Sequence, residues 1–232
     1  MKIIYLNACN GDLEQDFRAF LAKHAPDTDV FCFQEAYDKM REIASDYMGE
    51  FELVHHYAFA FGEGADAEDF ALATYVRKSH KLIRSEAIVH ADSPRGLGID
   101  TLIEYNDRQL HVFNYHGISL PREKRDTPDR LRQSKELAAY FQQQTGPMVL
   151  GGDFNFLPDT EAYSILKSLG YAELVMDNGI DATVNEIYWS KGPSRLHYSD
   201  YLFVTKDVKV AKFEVPKIEA SDHLPLLLDL DF

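Results

Sequence analysis

Short runs rich in branched and aromatic residues recur along the chain at KIIYLN (2–7), DVFCFQE (29–35), FELVHHYAF (51–59) and FALATYVRK (70–78). They continue at KLIRSEAIV (81–89), GIDTLIEY (98–105), QLHVFNYH (109–116), PMVLGGD (147–153), DYLFVT (200–205), VKVAKFEV (208–215) and LPLLLDL (224–230). Such residues fit a pleated, half-buried surface, so each run is predicted to be a strand. Asn106-Asp107 between two of them is a hairpin turn signal. Helical spacing appears elsewhere. In LEQDFRAFLAKH, Leu13, Phe17, Phe20 and Leu21 share one face, with Asp12 as the expected cap. YDKMREIASDYM follows the second strand, and PDRLRQSKELAAYFQQQ places Leu131, Leu137, Ala138 and Phe141 at compatible spacings. DTEAYSILKSLG sets Tyr163, Leu166 and Leu169 on one side, with Asp159 as the capping acid and Gly170 as a stop.

VFCFQ and MVLGG are apolar on consecutive positions, which requires cover on both faces of their sheets. A doubly wound sheet wants a helix after nearly every strand, and the 51–116 stretch offers none. The expected fold is therefore an α/β four-layer α-β-β-α sandwich, two packed mixed sheets flanked by helices. Without a linker, repeat or low-complexity tract, residues 1–232 are expected to form a single domain.

Composition adds that 45% hydrophobic residues can fill a sizeable core, and that the net charge is −14. Such a charge argues against broad adhesion to nucleic acid or anionic lipid, while leaving room for a local basic patch or a metal-bridged anion. Cys9 and Cys32 show neither a disulfide framework nor a paired metal knuckle, and read as reduced thiols of a cytoplasmic protein. The amino-terminal apolar run is too short for a secretory signal, and no window has the length of a membrane span, so no stable membrane association is expected. The pattern specifies no oligomeric state, and a monomer suffices.

The polar residues carry the chemistry. Apolar runs end on Asn7, on Gln34 and Glu35, on His116, and on Asp153 with Asn155 close behind. Two later runs begin at Asp200 and just after Asp222-His223. If the first four strands run toward one edge of the sandwich and the last two away from it, all these side chains meet there. Four clustered carboxylates repel unless a cation or a shared proton intervenes. Oxygen-rich ligands without thiolate favour Mg²⁺ or Mn²⁺ over Zn²⁺. Such a site suits phosphate ester hydrolysis, in which the metal polarises phosphate oxygens and a base deprotonates water.

At these residues the chain resembles the endonuclease/exonuclease/phosphatase superfamily, the group with the deoxyribonuclease I fold. The segments YLNAC, FQEAYD, NYHG, GGDFN, SDYLFV and SDHLPL follow the family's order from Asn7 to His223. The resemblance implies that Glu35 is the principal metal ligand, with Asn7 holding the metal or orienting Asp153 and with Asp222 as a second carboxylate. It further implies that His116 contacts the scissile phosphate and that Asp153 and Asn155 position the attacking water. Asp200 would orient His223, the base or transition-state stabiliser. NACN lacks the acid that some nucleases carry two residues after the asparagine, and NYHG has Tyr115 where threonine is frequent.

The expected activity is that of a Mg²⁺-dependent phosphoesterase cleaving a phosphodiester by in-line attack of water, most simply of nuclease type with nucleic acid as partner. The alternatives are an enzyme for a small-molecule or lipid-headgroup phosphate and a catalytically silent binding module on the same fold. Further substrate candidates lie outside the motifs. PREKRDTPDRLRQSK (121–135) is the densest basic patch, and for most of it a solvated loop and helix start is the expectation. Arg122 and Arg125 are the cations to consider for a second phosphate or a strand. Trp189, with Tyr188 and Lys191, can stack on a base or headgroup or plug a gap. His197 stands near Asp200, while His24, His55, His56, His80, His90 and His111 read as strand or surface histidines.

Overall fold

The computed structural model describes residues 1–61, 68–88, 97–189 and 196–231. In chain order the elements are β1 (Lys2–Asn7), α1 (Glu14–His24), β2 (Val30–Gln34), α2 (Asp38–Ser45), β3 (Phe51–Phe61), β4 (Glu68–Arg77), β5 (Lys81–Ala87), β6 (Leu97–Tyr105) and β7 (Arg108–His116). There follow α3 (Pro128–Gln143), β8 (Met148–Asp153), α4 (Glu161–Lys167), β9 (Ala172–Glu173), α5 (Leu174–Asp177), α6 (Glu186–Trp189), β10 (Asp200–Val204), β11 (Val210–Glu214) and β12 (Leu226–Leu230).

The strands form two six-stranded sheets, ordered β11-β12-β1-β2-β4-β3 and β5-β6-β7-β8-β10-β9. Alternation along each strand explains why consecutive positions are apolar. Ile4, Leu6, Phe31 and Phe33 pack beneath α1 and α2 with Phe17, Phe20, Met40 and Ile43. Their neighbours Ile3, Tyr5, Val30 and Cys32 belong instead to the cluster shared with the second sheet. On that sheet's far side, Phe113 meets Phe141 of α3 edge to face at 4.5 Å between ring centroids, and Tyr201 meets Tyr163 of α4 at 5.3 Å. The expected four-layer sandwich is the fold observed.

Strand direction gathers the polar ends. β1 runs parallel to β2 with Asn7 opposite Gln34, and β7 runs parallel to β8 with His116 opposite Asp153. β10 is antiparallel to β8 and places Asp200 opposite Asp153, while β12 is antiparallel to β1. Four strands thus end, and two begin, at one edge.

Two expected helix caps are corrected. Leu13 occupies the cap position of α1 without a side-chain bond, because a tight turn at Cys9–Gly11 leads into it and ties the Asp12 amide to the Cys9 carbonyl at 3.0 Å. α4 is capped by Thr160, not Asp159: Thr160 is the extended residue next to the helix, and its hydroxyl accepts from the Tyr163 amide at 3.2 Å. An acid one residue earlier is out of register. α5 and α6 escaped the pattern because four residues carry no helical period. Asn106 and Asp107 form the hairpin turn, with φ of 49° and 60°. Among the described residues no helix is long and apolar enough to cross a membrane.

Candidate active site

The backbones of β7 and β8 come very close at their ends. A Cβ at position 152 would run into the Tyr115 carbonyl, and one at 117 into the Phe154 carbonyl. Only glycine permits that approach, and Gly152 also sits at a φ of +135°. The result sets the buried His116 beside Asp153, the last residue of β8.

The two oxygens of Asp153 differ. Oδ1 accepts from the Asn155 amide at 3.0 Å and from the Ser199 hydroxyl. Oδ2 accepts from Asn7 Nδ2 at 3.0 Å and faces two imidazole nitrogens beyond hydrogen-bond reach, His116 Nε2 at 3.8 Å and His223 Nε2 at 3.7 Å. The other nitrogen of His223, Nδ1, donates to Asp200 Oδ2 at 2.9 Å, which fixes the ring with Nε2 toward the gap. Asn155 adopts a φ of 55° and donates its amide to the Gly117 carbonyl at 3.1 Å.

Glu35 follows β2 at a φ of 50°, a conformation that costs a side-chain-bearing residue on the order of 1 kcal/mol. The next amide, Ala36, is pinned to the Ala71 carbonyl at 3.0 Å, so the turn is held from outside. Glu35 Oε1 accepts from Asn7 Nδ2 at 3.1 Å. Asn7 therefore braces two carboxylates with its nitrogen, while its oxygen accepts from the Cys9 amide at 3.0 Å. Asp222 is buried beside His223, with Oδ1 accepting from Ser221 at 3.2 Å.

Burial opposes the charge of Asp153, Asp200 and His223, and its balance with their neighbours decides each outcome. Burial would raise Asp153, but Lys124, His223, His116 and the Ser199 bond together hold it below the usual carboxylate range. Burial would lower His223, yet Asp200, Asp153 and Asp222 push it up to about 9. Burial takes Asp200 up to about 6 despite His223. The ligand atoms of Asp153, Asp200 and His223 lie within 4.8 Å of one another, close enough to hold a metal. Asp200 and His223 already spend their facing atoms on each other, however. The oxygen donors Glu35, bonded to Asn7, and Asp222, buried beside His223, fit a hard divalent cation better.

The structure departs most from expectation in the basic patch. Lys124 is not solvated: it is 1% exposed, donates to the Ser199 hydroxyl and lies 4.6 Å above the Tyr188 ring. Burial lowers its pKa, and Asp153 and Asp200 pull in the opposite direction. Arg130, also buried, donates to the carbonyls of Ile118, Ser119, Pro121 and Arg125 and so shapes the loop. A signal for Arg130 existed, because it shares a helical stripe with Ser134, Leu137 and Phe141, all buried. Sequence spacing held none for Lys124 or Ser199. Arg125 is exposed and paired with Asp159 at 2.6 Å, away from the cluster, and Arg122 is exposed but close enough to act on Tyr188. Tyr188 meets His223 edge-on at 5.2 Å. Trp189 closes α6, but its side chain, like Lys191, lies outside the described residues, as does His90. His197 is exposed, and its carbonyl accepts from the Thr183 amide at 2.8 Å.

A sequence model described as the Endonuclease/Exonuclease/phosphatase family matches residues 6–223. A comparison with curated proteins returns no match. Among solved structures, an endonuclease/exonuclease/phosphatase from Bacteroides vulgatus aligns over 99% of this chain and 98% of its own at 17% identity and a TM-score of 0.74. D. rerio TDP2 complexed with single strand DNA product aligns over 100% and 99% at 15% identity and a TM-score of 0.71. The human Nocturnin catalytic domain with bound sulfate anion aligns over 100% and 93% at 21% identity and a TM-score of 0.70.

Proposed function

Since this chain belongs to the endonuclease/exonuclease/phosphatase family, whose members are metal-dependent phosphoester hydrolases, we propose that it is a Mg²⁺- or Mn²⁺-dependent phosphodiesterase of nuclease type. The observation that carries the reading is the environment of Asp153 Oδ2. It is a buried carboxylate oxygen at a strand end, braced by Asn7 and faced by two imidazole nitrogens at 3.7 and 3.8 Å, beyond hydrogen-bond reach. That unspent acceptor capacity is where the reading puts the attacking water and a phosphate oxygen.

Asp153 Oδ2 accepts the proton of the attacking water and aims it in line with the scissile bond. His116 and His223 present Nε2 to the phosphate oxygens from opposite sides, where charge builds in the transition state. Asp200 keeps the His223 ring in place. Asn155 holds the Gly117 turn after His116, which fixes the width of the mouth. Glu35, with Asn7 between it and Asp153, and Asp222 would hold the divalent ion, which would supply Lewis-acid polarisation of the phosphate.

The DNA product in the D. rerio TDP2 relative supports a diester in nucleic acid as substrate. The charge of −14 supports a second reading, an enzyme for a small or headgroup phosphate that needs no long basic track. Cys9 and Cys32 as reduced thiols accord with a reducing, cytoplasmic setting, and we take residues 1–232 as one catalytic domain. The experiment is hydrolysis of a bis(aryl) phosphodiester and an aryl monoester with Mg²⁺, Mn²⁺ or EDTA, followed by a metal-supplemented screen of DNA, RNA, nucleotides and phospholipid headgroups. Diester turnover abolished by EDTA is expected. Metal-independent turnover refutes the metal-dependent reading, and turnover of no phosphate ester leaves the silent binding module.

A further inference from the structure

Asp153, Asp200 and His223 bring their ligand atoms within 4.8 Å of one another in a fully buried setting. Carboxylates at that spacing repel unless a cation lies beside them. In this chain one does. Lys124, itself 1% exposed, donates to the Ser199 hydroxyl, and that hydroxyl donates to Asp153 Oδ1. The charge of Lys124 acts on Asp153, Asp200 and Asp222 together. The Tyr188 ring, 4.6 Å below the ammonium, gives it an electron-rich face on another side.

The loop is shaped to hold that one side chain. Lys124 sits at a φ of +54°, its amide donates to the Pro121 carbonyl at 3.3 Å, and its own carbonyl accepts from the Leu157 amide at 3.2 Å. Buried Arg130 ties down the carbonyls of Ile118, Ser119, Pro121 and Arg125 on either side. A surface lysine needs none of this. An ammonium buried so expensively beside a group of metal-binding geometry points to a charge that the site requires permanently.

We propose that Lys124 is a built-in cation of the active site: it serves Asp153 and Asp200 in place of a second metal ion, and through Ser199 it fixes the Asp153 oxygen that faces away from the substrate. The site then takes a single divalent ion, on the Glu35 side, because a second ion next to the ammonium would meet like charge. Lys124 acts through Ser199 and Asp153, so it is a positioning residue. The proposal rests on the phosphodiesterase reading for the presence of a metal site, but its main readout does not depend on turnover.

Mn²⁺ binding to the full chain, followed by calorimetry and electron paramagnetic resonance, tests it. Wild type binds one Mn²⁺ per chain and Lys124→Met binds two, whereas Lys124→Arg and Ser199→Ala, which keep the cation, bind one. With the diester substrate, Ser199→Ala lowers kcat by about 10- to 100-fold while KM stays within about threefold, the size seen for groups that orient an active-site residue. Raised Mn²⁺ restores part of the kcat lost in Lys124→Met. Two ions in wild type, or one in folded Lys124→Met, overturns the proposal. Should Lys124→Met fail to fold, wild type and Ser199→Ala decide it: a second ion in the former or unchanged kcat in the latter rejects it. A chain that binds one Mn²⁺ and cleaves no phosphate ester contradicts the phosphodiesterase reading alone.

Discussion

Two buried aspartates of the second sheet, Asp100 and Asp153, each stand beside a histidine and are built differently. Asp100, wholly buried in β6, accepts from His111 Nδ1 at 3.0 Å, from Arg84 at 2.8 Å and from the Tyr140 hydroxyl at 2.9 Å. Its oxygens are occupied by groups from β5, β7 and α3. Asp153 is equally buried, yet its Oδ2 has one full hydrogen bond and two imidazole nitrogens held just too far away to close the gap. Satisfied polar networks rigidify a fold, whereas a fixed, incompletely satisfied acceptor is prepared for something not yet present. Burial and residue type do not separate the two. Spare acceptor capacity at a strand end does.

Removing the acids should separate them most widely. Asp153→Ala is expected to lower kcat for a diester substrate by about 10²- to 10⁴-fold, the usual range for a positioned proton acceptor, and to lower stability as well, because buried Lys124 and His223 lose the carboxylate beside them. Steady-state kinetics beside urea unfolding read both quantities. Wild-type activity in that variant would end the assignment of Asp153.

Asp100→Asn should cost stability without the loss of turnover. Taking one charge from a buried pair leaves Arg84 and His111 facing an amide, at a cost of about 3 kcal/mol in stability. The protein that remains folded should keep kcat within about twofold, since the network lies on the α3 side of the sheet and its partners are Arg84, His111 and Tyr140. A large loss of kcat per folded molecule would mean that the two pairs are coupled through β7.

A pH series sharpens the contrast from the active-site side. The His223 pKa is raised in the fold to about 9 from an ordinary value near 6.5, so its contribution is fully present below pH 6.5 and is lost as pH climbs through 9. Between wild type and His223→Gln, both in EDTA, the stability difference should therefore shrink by about 3 kcal/mol from pH 6 to pH 10. A pH-independent difference would show that Asp200 does not hold an imidazolium.

The contrast also marks what can be read from sequence. Asn7, Glu35, His116, Asp153, Asp200 and His223 stand where an apolar run stops or starts, so parallel and antiparallel pairing was enough to bring them to one edge. The sandwich itself followed from strands that are apolar on both faces. His111 looked like any strand histidine, because its partner Asp100 lies across the β6–β7 hairpin and Tyr140 comes from α3. Lys124 and Ser199 were illegible for the same reason: they are 75 positions apart, and only the loop geometry set by Arg130 brings them together. Chemistry carried by strand ends is local and shows in the pattern. Chemistry carried by loops depends on packing that the pattern does not contain.

Arg125 is the smallest and most discriminating case, since in sequence it is indistinguishable from its neighbour Lys124. Its guanidinium pairs with Asp159 at 2.6 Å, and both side chains are more than half exposed, at 59% and 64%. An exposed pair of this kind contributes little, because water screens the attraction and ordering two long side chains costs entropy. Arg125→Ala should therefore leave kcat/KM for a diester within about twofold and shift Tm by no more than about a degree, with only a weak dependence on salt. If kcat/KM for a nucleic acid instead falls tenfold while that for a small diester does not, Arg125 leaves Asp159 to meet the strand, and the outer loop belongs to the substrate surface after all.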